Sequence, residues 1–118
     1  MACSDLQSRL SGSSRVLASS ESEEFQTYMK RWSELNRQTP DAIALPETEE
    51  DVAAIVCHNE FLELLPTTNI PFTTKSGGMS LFSTIASNGI IIDLSSLPPG
   101  VDINKHDRTA NLSGAVTA

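Results

Sequence analysis

Apolar positions change their spacing several times along this chain, and each change marks an element. Phe25, Tyr28, Met29, Trp32 and Leu35 recur at three- and four-residue intervals, the stripe of one helix face. Glu21, Glu23 and Glu24 open that stretch and Lys30 and Arg31 fall in its second half, the charge order a helix dipole favours. The stripe reads as core packing, and Pro40 ends the segment. Ala42-Ile43-Ala44-Leu45 is an unbroken apolar run cut by Pro46, which predicts a short buried strand. Thr48 stands as an N-cap, with Asp51 in the capping-box position behind it. The helix that follows is expected to reach about Leu65, with Val52, Ile55, Val56 and Leu62 on one face and Pro66 just beyond.

The second half is β-rich. Ile70 to Lys75 reads as a strand with Pro71 near its start, and Ser76-Gly77-Gly78 breaks it. Ile90-Ile91-Ile92-Asp93-Leu94 shows no alternation and predicts a strand buried on both faces. After the Leu97-Pro98-Pro99-Gly100 turn, Val101–Asn104 and Thr109–Ser113 predict two short strands flanking the polar turn Lys105-His106-Asp107-Arg108. The element order is α+β, with a strand–helix–strand crossover between residues 42 and 75. Residues 1–20 are Ser-rich and promise little regular structure: at most a short helix, then a loop or a first strand. Residues 21–118 form the expected folded unit.

Composition narrows the function. The 118 residues carry a net charge of −7 and a pI near 4.6, which argues against a nucleic-acid surface. No apolar run approaches the ~20 residues a membrane crossing needs. A 39% hydrophobic share with 19% charged residues suits a folded domain rather than a disordered one. Cys3 and Cys57 lie in no metal or redox spacing and read as two free or buried thiols. No secretory signal is visible, so a cytoplasmic location is expected, and the Asn111-Leu112-Ser113 sequon would matter only on a secreted chain. His58 reads as a solvated helix residue and His106 as part of a polar turn. No metal site is expected.

One stretch carries chemistry: Thr74-Lys75-Ser76-Gly77-Gly78-Met79-Ser80. Two glycines after a strand let successive main-chain N–H groups turn into a nest that suits a pyrophosphate. Ser76 and Ser80 offer hydroxyls and Lys75 a positive charge. A plain strand-end turn is the other reading of a Gly-Gly pair. The stretch is not a Walker loop, because the lysine precedes the glycines, and no G-x-G-x-x-G occurs anywhere.

The order of segments around this loop resembles FAD-linked oxidases with a PCMH-type (vanillyl-alcohol-oxidase-like) flavin-binding domain, especially the berberine-bridge-like oxidoreductases. Arg31-Trp32-Ser33-Glu34-Leu35-Asn36 resembles the family's Trp-Ser-x-Asn segment. Pro40 through Val56 is similar to its next strand and helix. Pro71-Phe72-Thr73-Thr74-Lys75-Ser76-Gly77-Gly78 is similar to its strand and pyrophosphate loop. Asn88-Gly89-Ile90-Ile91-Ile92-Asp93-Leu94-Ser95 resembles the following strand, and Thr109 to Ala115 the strand that ends in a Gly-Ala step. The resemblance runs from about Cys3 to the C-terminus. It implies the first subdomain of that flavin domain, truncated: a small mixed sheet with helices packed on it.

It also implies FAD as cofactor, bound by Lys75, Ser76, Gly77, Gly78, Met79 and Ser80, and oxidation of an unknown small molecule through the flavin. Many members carry, after the diglycine, a histidine that bonds covalently to the flavin. Met79 stands there in this chain, so the cofactor is expected to be noncovalent, its histidyl attachment excluded. Family members are several times longer, and no residue present matches a family catalytic base. The alternative is therefore a truncated, inactive remnant or half-domain acting as an interaction module. Self-association, or a completing second half, is the partner expected if Ile90–Leu94 were left at a sheet edge.

Overall fold

The computed structural model describes residues 2–18, 20–61 and 70–117. Its element order is α1 (Ala2–Arg9), β1 (Arg15–Leu17), α2 (Glu23–Met29), β2 (Ala42–Leu45), α3 (Glu49–Phe61), β3 (Phe72–Lys75), β4 (Ile90–Asp93), a 3-10 turn (Leu94–Ser96), β5 (Val101–Asn104) and β6 (Thr109–Leu112). The expected end of the third helix near Leu65 and Pro66 lies outside the described residues. The N-terminal segment holds more regular structure than its serine content suggests. Leu6 of α1 is fully buried and β1 pairs antiparallel with β2.

Four strands form one sheet in the order β1-β2-β4-β3, with β2, β4 and β3 mutually parallel. The α+β order read from the pattern and the small mixed sheet implied by the resemblance are thus the observed architecture. Strict alternation along β2 and β4 splits the core in two. Ala42, Ala44, Ile90 and Ile92 pack with Leu6 and Ile55 on the face covered by α1 and α3. Ile43, Leu45 and Ile91 pack with Phe25 and Met29 of α2 on the other. Both strands are covered on both sides, which is why neither shows a polar face in its sequence. β4 is an interior strand between β2 and β3, so Ile90–Leu94 is not left at a sheet edge. The edges are β1 and β3, and β3 alternates exposed and half-buried residues as an edge strand does.

The apolar stripe beginning at Phe25 is the sharpest departure. Ser22 caps α2 by accepting the Phe25 amide, yet the helix ends at Met29, with Lys30 already extended at ψ 139°. Phe25 and Met29 are core residues, whereas Trp32 and Leu35 are 74% and 63% exposed. Helical spacing continued past the helix because the main chain there is bonded elsewhere: the Trp32 amide donates to the Gly78 carbonyl at 3.0 Å.

Strands β5 and β6 form a separate antiparallel hairpin in the register Val101–Leu112 and Ile103–Ala110. The turn between them is held by Asn104, whose side chain accepts the amides of His106 and Asp107. His106 and Asp107 sit there as ordinary exposed turn residues.

Candidate functional site

The Ser76–Ser80 loop leaves the carboxyl end of edge strand β3, beside the end of β4, and is pinned by hydrogen bonds to two other segments. Gly78 adopts φ +73°, a left-handed conformation that a side chain would strain. Its carbonyl accepts the Trp32 amide, which ties the loop to the chain leaving α2. The Ser76 hydroxyl donates to the Gly114 carbonyl at 2.8 Å, tying the loop to the segment after the hairpin. Among the described residues, the amides of Gly77, Gly78, Met79 and Ser80 donate to no protein acceptor. Gly77 and Ser80 are exposed and the Met79 side chain is 66% exposed.

Lys75 does not extend into the loop mouth. Its ammonium donates to the Asp93 carboxylate at 2.7 Å, with the two side chains 10% and 0% exposed. Register places the two residues opposite each other on β3 and β4. The other Asp93 oxygen accepts the amide and hydroxyl of Ser95, which fixes the start of the 3-10 turn. A carboxylate buried this fully requires a cation and hydrogen bonds, and it has both.

Arg31 is the second cation near the loop, and it too is committed. Its guanidinium donates twice to the Ser83 carbonyl, at 3.1 and 2.9 Å, and to the carbonyls of Tyr28 and Lys30. Burial lowers its pKa, with the field of Asp93 working in the opposite direction. Arg31 therefore fastens the far side of the loop to the end of α2. The structure brings Ser76, Gly77, Gly78, Met79 and Ser80 together as one turn and sets Lys75 beneath it.

Sequence reasoning missed the supports: Asp93 and Gly114 appear there only within strands and matching segments, and Arg31 only within a matching segment and as a cation in the second half of a helix that in fact ends at Met29. Asp93 did carry a signal, a carboxylate closing a wholly apolar strand, which demands a buried partner. Gly114 carries another, because a Cβ there would come within 3.0 Å of Leu94 Cδ1. Among the described residues no group of three or more His, Cys, Asp and Glu side chains is placed to hold a metal ion, and no helix is long and apolar enough to cross a membrane.

Comparison with known proteins defines the class first. The fold superposes on Physcomitrella patens BBE-like 1 with a TM-score of 0.66 at 18% identity, covering 92% of this chain and 22% of that one. It superposes equally on the structure of FgChi7B, with a TM-score of 0.66 at 23% identity over 88% of this chain and 20% of that one. The chain belongs to the FAD binding domain family, whose profile matches residues 40–118. It is also 38% identical over 93 residues to the FAD-linked oxidoreductase hasG of Aspergillus fumigatus, covering 78% of this chain and 18% of that protein. The chain thus spans about one fifth of the length of these relatives.

Proposed function

We propose that this chain binds FAD through the Ser76–Ser80 loop and serves as the pyrophosphate-holding part of a flavin-dependent oxidoreductase. The observation that carries the reading is the set of main-chain amides from Gly77 to Ser80. They belong to a turn held in place by other bonds, in which Gly77, Met79 and Ser80 are exposed and Gly78 is buried, and none donates to a protein acceptor among the described residues. Such a nest offers several N–H groups to an anion without side-chain rearrangement. Gly78 at φ +73° gives the turn its curvature, and a Cβ at Gly77 would crowd Thr117 Cγ2 at 3.3 Å. Ser76 spends its hydroxyl on Gly114, so its part is to hold the turn. Among the described residues the Ser80 hydroxyl accepts the Phe82 amide and donates to no protein acceptor, which leaves its proton for a phosphate oxygen.

FAD supplies the redox chemistry of such enzymes, while the protein binds and orients it. Met79 gives no nucleophile comparable to histidine, so the flavin is held here without a bond to this position. A small-molecule substrate, and the groups that act on it, would come from outside these residues. A half-domain completed by a second polypeptide is the competing reading. It is favoured by the apolar side chains that line the same end of the molecule, with Trp32, Met79 and Phe82 at 74%, 66% and 89% exposure.

Titration with FAD tests the proposal. The chain is expected to quench FAD fluorescence and to retain a yellow colour that acid precipitation releases into the supernatant. Gly77→Val, which crowds Thr117 Cγ2 and covers the neighbouring amides, is expected to weaken binding at least about tenfold. A colourless protein that leaves FAD fluorescence unchanged overturns the reading. Unchanged binding by Gly77→Val moves the pyrophosphate to another part of the chain.

A further inference from the structure

We infer that Lys75 acts on the diglycine loop as a positioning residue: its aliphatic stem is the floor under Gly78, and its charge is spent on Asp93 rather than offered to a phosphate. The inference rests on reading the Ser76–Ser80 loop as the FAD pyrophosphate site. A lysine directly before a phosphate-binding turn would ordinarily be assigned to the anion. Here its ammonium lies 2.7 Å from a fully buried carboxylate on the neighbouring strand, and the side chain is 10% exposed. The Cε atom lies 3.5 Å from the point where a Gly78 Cβ would stand, which is van der Waals contact. The Lys30 carbonyl and Arg31 Cδ occupy the same pocket at 3.5 and 3.7 Å. The side of Gly78 on which a Cβ would stand is therefore closed by the Lys75 stem together with Lys30 and Arg31.

This arrangement explains why a charged residue occupies the site. A long unbranched stem fills the space beneath the turn, but a lysine can be buried only with its charge neutralised, and Asp93 supplies that. Asp93 in turn fixes the 3-10 turn through Ser95, so one ion pair secures the chain leaving both parallel strands. The loop is thereby held by internal electrostatics while the amides of Gly77 to Ser80 donate to no acceptor among the described residues. With Arg31 also committed to carbonyl oxygens, the cradle presents neutral donors with no unspent cation from either residue.

Two double variants separate a floor from a phosphate ligand. K75M/D93N keeps an unbranched stem, removes both charges and retains an acceptor for Ser95. K75A/D93N removes the charges and the stem together. FAD affinity is read by fluorescence titration. Independently of any flavin, exchange of the Trp32 amide is read by NMR against the β4 amides, because that proton is bonded to the Gly78 carbonyl. K75M/D93N is expected to keep FAD affinity within about threefold of wild type and Trp32 protection unchanged, and K75A/D93N to lose about tenfold in both, with β4 protection retained. Should K75A/D93N fail to fold, K75L/D93N takes its place, with a smaller loss in the same two readouts.

A loss of affinity in K75M/D93N as large as in K75A/D93N, with Trp32 still protected, makes Lys75 a phosphate ligand and overturns the inference. Wild-type behaviour of K75A/D93N or its replacement in both readouts overturns it as well. If the wild-type chain binds no FAD, the functional reading fails, and the Trp32 exchange alone decides whether Lys75 holds the turn.

Discussion

Asp51 shows how a single side chain can organise a boundary between elements. It accepts hydrogen bonds from the Ser11 amide, the hydroxyls of Ser11 and Ser14, and the hydroxyl of Thr48 at the start of α3. Burial pushes this carboxyl up, but the serine and threonine donors outweigh burial and hold it well below the usual aspartate value of 3.8. A group depressed in the folded state stabilises the fold above its unfolded value and loses that contribution as pH falls through the folded value. Asp51→Asn is expected to destabilise by about 2 kcal/mol near neutral pH and to flatten the acid limb of the stability curve below about pH 4. Urea melts across pH check both. Gly78→Ala is expected to cost about 1 kcal/mol from its left-handed backbone, with the same assay as readout. Thr48 and Asp51 were legible in the sequence as a cap. Ser11 and Ser14 were not, because nothing in a Ser-rich stretch distinguishes a buried serine from a solvated one.

Among the elements, those built from unbroken apolar runs were the easiest to read. β2 and β4 emerged where the Ala42–Leu45 and Ile90–Leu94 runs placed them, except that Leu94 opens the 3-10 turn, and the hairpin followed from two short runs around a polar turn. The overlong α2 failed for a physical reason: periodicity reports which residues could share a helix face, whereas the Arg31 guanidinium and the Trp32 amide are recruited by a loop some fifty positions away. No local pattern encodes that. Strand order was equally hidden, since β3 and β2 are consecutive strands that flank β4 rather than pair. The elements also differ sharply in what they contribute. Ile91→Ala, in the fully covered centre of β4, is expected to cost about 3 kcal/mol. Ile103→Ala, 63% exposed on β5, is expected to change stability by less than about 0.5 kcal/mol. Denaturant midpoints of the two variants check the contrast.

At the scale of the whole molecule, the sheet is well covered and the hairpin is bare. Val101, Ile103 and Leu112 share one hairpin face by register and are 55%, 63% and 64% exposed. A two-stranded ribbon with such a face gains by covering it. The isolated chain is therefore expected to associate with rising concentration in sedimentation velocity. Ile103→Lys is expected to shift it toward monomer without altering FAD binding. The surface expected to drive association is thus the hairpin face and not Ile90–Leu94, which lies inside the sheet. The candidate site was legible as a loop and as an order of segments, but not as a structure: which residues hold the turn, and which face its mouth, depends on cross-strand register.

The common direction of β2, β4 and β3 has a consequence for evolution. All three strands run out at one rim, and the segments that follow them can be rewritten by substitution or insertion while the covered strands behind keep the scaffold intact. A saturation mutagenesis library of this chain should map as two territories. The interior strands would admit few replacements. The rim would be permissive except at the few anchors that fix its shape, and so could be retuned to new small molecules without rebuilding the frame.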